Sequence, residues 1–298
     1  MTDSAEQHTA IEGRIEKVSD SFSCPTCHHT LSVAPEGYVC ATDGVFRKDE
    51  SGRPLLIARA VYTETKEEHL SGVNWLKSLL KRWPKLYYTV WHVFCPVLML
   101  ENGPRKLLDL VSDDTAVLDV GSGPERLGER FINVDVYPFP EVDIVADAES
   151  LPFQDGSIGA LVTESMLEHV PHPTIVAREM VRILKKGGFL YASAPFVHPY
   201  HASPDDFNRW TLSGLKELFG ELEIIESGVR SGPWSALLMF LAYWLGVIFA
   251  FGSKKAAPFL AHVFMLVLGP LKIFDPLFSH MPGAEAVSAH LYVIGRKK

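Results

Sequence analysis

The stretch Val117-Leu118-Asp119-Val120-Gly121-Ser122-Gly123-Pro124 constrains this chain more than any other. A short apolar strand carrying one acid runs straight into a Gly-x-Gly turn. Glycine has no Cβ and tolerates positive φ, so backbone in such a turn can approach a ligand closely. In open α/β sheets, ligands bind outside the carboxyl ends of the strands, and this turn falls there. A Gly-x-Gly turn alone is common. The segments that follow it in register give it weight.

Phe131-Ile132-Asn133-Val134-Asp135 reads as a second strand. A carboxylate at its end can accept hydrogen bonds from both hydroxyls of a ribose. Val142 to Asp147 reads as a third strand, whose terminal Asp147 is placed to accept from an adenine amino group. Ile158 to Glu164 is a further apolar strand, followed by Met166-Leu167-Glu168-His169-Val170. From Met180 the pattern is helix, a Lys185-Lys186-Gly187-Gly188 turn, then a strand from Phe189 to Pro195. Strands alternating with helices predict a doubly wound, mostly parallel sheet.

With these residues in register, the run 117–196 resembles the class I S-adenosylmethionine-dependent methyltransferases of the broad type 11 group. The shared features are the Asp-Val-Gly-Ser-Gly loop, Asp135, Asp147-Ala148-Glu149 with Leu151-Pro152-Phe153 after it, and Leu167-Glu168-His169-Val170. The resemblance implies a Rossmann-like sheet with an antiparallel last strand, for which Ala289 to Gly295 is the candidate. It also implies S-adenosylmethionine as cofactor. The residues it implies at the cofactor are Asp119, Gly121, Ser122, Gly123, Asp135, Asp147, Ala148, Glu164 and His169. It is nearly silent on substrate. The sequence departs from the family in two places. Only 12 positions separate Gly123 from Asp135, so the first helix is expected to be short, and Ile158-Gly159 replaces the usual Phe-Asp pair.

Upstream, Cys24-x-x-Cys27 is followed about a dozen residues later by a second knuckle, Cys40 to Asp43. Paired knuckles of this kind hold tetrahedral zinc. The pattern, with Arg53-Pro54-Leu55-Leu56-Ile57 trailing it, resembles the Trm112-like zinc ribbons, except that Asp43 stands where the ribbon has cysteine. Two readings stay open: a structural zinc on Cys24, Cys27, Cys40 and Asp43 (or His28 or His29 as fourth ligand), and a degenerate ribbon without metal. Four protein ligands leave no open position for catalysis. The remaining cysteine, Cys95, lies in an apolar run and reads as a core residue.

The formal charge of −8 withholds the basic footprint of a nucleic-acid-binding protein. Hydrophobic residues make up 47 % of the chain, and they are concentrated. Trp234 to Phe251 carries no charge, and after Lys254-Lys255 a second apolar run, Ala256 to Leu268, precedes Gly269-Pro270. Both flanks of this insertion belong to one folded domain, so any crossing of a membrane has to be an even hairpin. Its tip would take Lys254 and Lys255 across, against the tendency of cations to stay cytoplasmic. A monotopic hairpin is therefore expected over a spanning one; a lid or a dimer interface is the alternative. Upstream, Trp75 to Tyr88 mixes aromatics and leucines with cations and suits either a membrane interface or an amphipathic helix packed on the catalytic domain with its Lys stems over apolar surface. The polar opening of the chain has no apolar signal core, so a cytoplasmic, membrane-associated protein is expected.

After the fifth strand, residues 198–211 border the acceptor side of the cofactor in this fold. His198 and His201 have side chains suited to take a proton from an acceptor, Asp206 and Arg209 are spaced to pair, and Thr211 is placed to cap a helix over 212–219. The expected organisation is a polar leader over 1–20, a ribbon-like module over 21–58, a helical linker over 59–110, and a methyltransferase domain over 111–298 with the insertion at 234–271. The expected activity is methyl transfer to an amphiphilic or lipid-linked acceptor. An rRNA-directed enzyme and a non-enzymatic membrane-bound binding module are the alternatives, and the oligomeric state is left open.

Overall fold

The computed structural model describes residues 2–57, 93–100, 102–201 and 205–298. The basic aromatic segment 75–88 and most of the expected linker lie outside the described residues. Helix α1, Thr2–Ile15, opens the chain. Strands β1, Ser32–Ala34, β2, Gly37–Cys40, and β3, Gly44–Arg47, form a small antiparallel sheet. After the short helix α2, Gly103–Leu108, come β4, Val117–Val120, β5, Phe131–Asp135, β6, Ile144–Val145, and β7, Ile158–Glu164. Helix α3, Pro173–Ile183, leads into β8, Leu184–Pro195, and α4, Leu212–Leu218, into β9, Leu222–Ser231. Three helices follow, α5, Pro233–Phe249, α6, Ala256–Leu268, and α7, Asp275–Ser279, before the last strand β10, His290–Lys297.

The large sheet has seven strands in the order β6-β5-β4-β7-β8-β10-β9. The first five run parallel, and β10 is antiparallel to both β8 and β9. The order reverses between β4 and β7, which puts the topological switch beside the Gly121–Gly123 turn. Strands β4 and β5 are buried along their whole length, which explains their continuous apolar runs. The Lys185–Gly188 segment continues the strand in place of a separate turn, with Gly187 at φ +77° relieving it.

The N-terminal elements pack against the large domain. Ile11, Ile15 and Val18 follow a helical spacing, are buried, and join Phe22, Tyr38 and Leu56 in one cluster with Leu118, Ile132 and Phe153 of the large domain. The expected polar leader is thus a packed helix. Beyond β3, Leu55 bridges Val145 in parallel, with Leu56 N donating to Val145 O at 2.8 Å and Val145 N to Pro54 O at 3.0 Å. The chain over 54–56 therefore covers the outer edge of β6, which would otherwise offer unpaired backbone.

The apolar insertion is longer than its sequence suggested. The run that reaches spanning length by composition makes only a 17-residue helix, α5. The run that seemed too short continues past Gly269-Pro270 through a 3-10 turn, giving 24 helical residues over Ala256–Ser279. Pro270 is tolerated because it lies in the first turn of that 3-10 segment, where its missing N–H costs nothing. Helices α5 and α6 pack closely: a Cβ on Gly246 would lie 2.7 Å from Ala261 N. Buried Asp275 anchors the base by accepting from Gly232 N, Trp234 N and Ser235 Oγ at 2.9, 3.0 and 2.6 Å, capping α5. Cys95, only partly buried, packs with Val97 against this hairpin.

Candidate functional site

The glycine turn leaves β4 with Gly121 at φ +75° and Gly123 at φ +62°, values that other residues adopt only under strain. Their surroundings differ. A Cβ on Gly121 would meet Met166 Cγ at 2.2 Å, so this glycine is needed for packing against the segment after β7. A Cβ on Gly123 would meet nothing within 4 Å, so this is the open side that a ligand can reach. Ser122 is half-buried between them. Asp135 at the end of β5 accepts from Gly123 N and Tyr137 N, both at 2.8 Å, which fixes its carboxylate beside the turn. A carboxylate held beside the turn in this way is a group that can accept from a diol.

No helix forms between β4 and β5; residues 121–130 are a turn-rich loop. The expected short helix is replaced by a side-chain pin. Arg126 donates to both carboxylate oxygens of Asp143 at 3.0 Å, to Phe131 O at 2.8 Å and to Glu141 Oε2 at 3.0 Å. Asp143 is fully buried and also accepts from Arg14 Nε and Asn133 N, each at 2.9 Å. Sequence reasoning did not single out Arg126, Asp143 or Arg14. The partners are 17 and 129 positions apart, so no local pattern announces them.

Acidic groups converge at this end of the sheet. Asp119 is buried, and its carboxyl is pushed well above the usual range, first by burial and then by the charges of Glu164 and Asp135, with Arg126 opposing. Glu164 accepts from Arg230 Nε at 2.8 Å and from Tyr191 OH at 3.2 Å. Asp147 and Ala148 are half-buried at the end of β6, and Asp147 Oδ1 accepts from Glu149 N at 2.9 Å. Carboxylates thus gather at the carboxyl ends of β4, β5, β6 and β7.

Beyond β7 and β8 lies a group of histidines. The rings of His169 and His201 are 5.1 Å apart, those of His198 and His201 4.4 Å, and those of His198 and His290 5.4 Å. Burial, then the neighbouring His201, lowers His198 to about 4, so it stays neutral at physiological pH. Burial holds His290 well below the ordinary histidine range too, with His198 and His201 adding to the effect. Arg209 clamps Asp206, donating to Oδ2 at 2.6 Å. Burial alone would raise Asp206, but Arg209 and the His201 backbone N–H outweigh it and hold the carboxyl at about 2. Thr211 caps α4, accepting from Gly214 N at 3.0 Å. The loop is thus braced from both ends.

In the N-terminal sheet, Cys24, Cys27, Cys40 and Asp43 each bring a donor atom within 4.8 Å of the others. Asp43 Oδ2 lies 3.2 Å from Cys24 Sγ and 3.4 Å from Cys40 Sγ. Three sulfurs and one carboxylate oxygen in a closed cluster are a donor set suited to zinc. His28 and His29 are exposed and are not in this cluster.

Residues 118–192 match the methyltransferase domain family. A methyltransferase from Mycobacterium sp. (strain JLS) is 34 % identical over 129 residues, covering 31 % of this chain and 51 % of its own length. The demethylmenaquinone methyltransferase of Renibacterium salmoninarum is 36 % identical over 87 residues, covering 29 % of this chain and 33 % of its own. The chain thus spans about half the length of the first curated relatives it matches, as 51 % for the mycobacterial protein indicates. Among solved structures, a chain of the Haloferax volcanii complex between the Trm112 methyltransferase activator and a methyltransferase is 16 % identical with a TM-score of 0.42, covering 74 % of this chain and 94 % of its own. Sheet order and glycine turn agree with the family match: residues 118–192 lie within a methyltransferase domain of Rossmann-like fold.

Proposed function

We propose that the protein transfers a methyl group from S-adenosylmethionine to an amphiphilic or lipid-linked acceptor at a membrane surface. The observation that carries the transfer is the convergence of Gly121, Gly123, Asp119, Asp135 and Glu164 at the switch point of a sheet within the matched domain. When bound, the cofactor supplies a methyl group already activated on a sulfonium centre. In this reading Asp135 holds the ribose, Asp147 and Ala148 border the adenine, and Gly123 lets the backbone approach. The acidic edge of Asp119 and Glu164 favours the cofactor's positive charges. His169 orients the neighbourhood of the cofactor. The chain then has to align an acceptor and direct its proton, and His198 and His201 flank that side.

The acceptor class rests on the insertion. Helices α5 and α6 expose Trp244, Val247, Phe259, Leu266 and Val267, and Phe251 at the tip is 89 % exposed. An apolar surface of this extent marks a membrane or partner interface. The insertion leaves the sheet at Ser231 and returns at His290, which pair with each other, so both ends lie on one side. This favours a monotopic hairpin lying at the membrane surface, with Lys254 and Lys255 of its tip kept at the headgroups. Because His290 neighbours His198, the hairpin base adjoins the acceptor loop, and a lipid-anchored substrate could reach it without leaving the membrane. The Renibacterium relative, named for demethylmenaquinone, is consistent with such an acceptor. A structural zinc on Cys24, Cys27, Cys40 and Asp43 completes the reading. The test is incubation of the full chain with methyl-labelled cofactor and fractionated cell extract. Label in the lipid fraction supports it; label confined to RNA would favour an rRNA-directed enzyme, and no label anywhere a binding module.

A further inference from the structure

Glu168 is fully buried, and neither of its carboxylate oxygens has a hydrogen-bond partner among the described residues. A buried carboxylate in that state is costly unless a cation or proton compensates it. Two imidazoles are turned toward it. His201 Nε2 lies 3.6 Å from Glu168 Oε1, and His169 Nε2 lies 3.7 Å from the same atom. These separations are too long for hydrogen bonds, yet they suit donors to a common ion. Ligand bonds of roughly 2.0–2.2 Å hold neighbouring donor atoms roughly 3–4 Å apart. One ligand atom from each of Glu168, His169 and His201 lies within 4.8 Å of the other two.

The outer contacts also fit metal ligation. His169 Nδ1 lies 2.6 Å from Asp205 O, a contact in which the nitrogen donates and leaves the Nε2 lone pair facing Glu168. His201 Nδ1 lies 3.4 Å from both Asp206 Oδ2 and Pro199 O, two acceptors that favour a proton on this nitrogen, with Arg209 Nη2, which holds that carboxylate, at 3.5 Å. Carboxylates and carbonyls behind ligating histidines fix the tautomer and ring orientation in metal sites. We infer that Glu168, His169 and His201 bind a divalent transition-metal ion, with positions left open toward the acceptor.

Two imidazoles and a carboxylate suit manganese, iron, cobalt or zinc better than magnesium or calcium. Met166, two positions before Glu168, packs against Gly121, so the site adjoins the cofactor turn. The inference deepens the methyl-transfer reading and, for the ion's role, rests on it. The ion accepts a lone pair from a hydroxyl acceptor and makes its proton more acidic. The proton leaves to solvent, the oxygen–carbon bond forms, and the carbon–sulfur bond of the sulfonium breaks with its electron pair going to sulfur.

The test measures metal binding alone, so it stands apart from any assay of transfer. The full chain is titrated with Mn2+, followed by the electron paramagnetic signal of the free ion, and separately with Co2+, followed by absorption. The chain is first stripped of metal with a chelator, and the cysteine cluster is kept out of the reading by repeating the titration in Cys27→Ser. We expect one Mn2+ or Co2+ per chain that Cys27→Ser retains, and a higher melting temperature when it is bound. Glu168→Gln, nearly isosteric, is expected to lower affinity at least tenfold and to abolish the thermal shift. Asp206→Asn, behind His201, is expected to lower it roughly 10–100-fold. If neither ion binds, or if Glu168→Gln binds as the parent does while remaining folded, the site is not a metal site.

Discussion

Arg126 offers a sharp test of how the cofactor turn is held, because a side chain does the work that a helix does elsewhere in the fold. In Arg126→Met the apolar stem remains while the hydrogen bonds to Asp143, Phe131 O and Glu141 are lost. Removing one partner of a buried ion pair typically costs about 3–5 kcal/mol, because the other charge is left uncompensated. Here the cost falls at the lower end. Asp143 keeps Arg14 Nε and Asn133 N, each at 2.9 Å, so its charge stays partly satisfied. A loss of about 3 kcal/mol corresponds to a fall of roughly 6 °C in Tm for a domain of this size. Affinity for S-adenosylmethionine should fall with it, since the freed loop carries Gly123. Glu141→Gln is the control. It touches only the outer edge of Arg126, where Glu141 is 48 % exposed, and should cost no more than about 1 kcal/mol. Calorimetric melting and cofactor titration read both variants. An Arg126→Met protein with the parent's melting temperature and cofactor affinity would refute the pin.

The raised carboxyl of Asp119 makes two outcomes measurable. Its folded value lies above its unfolded one, so the native state binds the extra proton; this contribution to stability declines as pH rises from the ordinary carboxylate range toward the raised value, and Asp119→Asn should flatten the decline. A cationic cofactor favours the ionised form, so calorimetry in buffers of different ionisation enthalpy should detect proton release in the parent and none in Asp119→Asn; equal proton counts would contradict the electrostatic reading. Cys27→Ser should reduce zinc content to background and also lower Tm, because Phe22, Tyr38 and Leu56 share a core with Leu118 and Ile132; zinc loss with unchanged melting would mean the two parts are energetically independent. Replacing 240–264 by a short Gly/Ser linker keeps the Asp275 cap and should release the protein from membranes with cofactor binding intact; a full-length chain that stays monomeric in buffer without lipid or detergent would sink the membrane assignment.

The sheet was legible where its signals are local. Apolar runs, the glycine turn and acids at strand ends lie within a few residues of one another, and they located β4, β5, β7 and the antiparallel β10. What was hidden depends on distant partners. Eleven residues between Gly123 and Asp135 limited the length of a helix but could not say that Arg126 would replace it. Ile11, Ile15 and Val18 do carry a helical spacing, yet the polar composition around them obscured a helix whose partner is Asp143. Leu55-Leu56 was visible only as the tail of the ribbon pattern, whereas its pairing with Val145 is chosen by the exposed edge of β6. At the site, the Glu168-His169 dipeptide was visible as part of a family pattern, but His201 joins it only through the folding of the loop after β8. The length of the second apolar helix was misjudged because Gly269-Pro270 reads as a stop, although proline is tolerated in a first turn.

The central claim is that the turn after β4 and the acid ending β5 bind S-adenosylmethionine. Titration calorimetry on the full chain, Asp135→Ala and Gly121→Val tests it most directly. One cofactor should bind per parent chain. Asp135→Ala should weaken binding by removing the ribose acceptors, and Gly121→Val by forcing a branched side chain into Met166 at a φ of +75°. A parent chain that binds no S-adenosylmethionine, or two folded variants that bind it as tightly as the parent, would contradict the account.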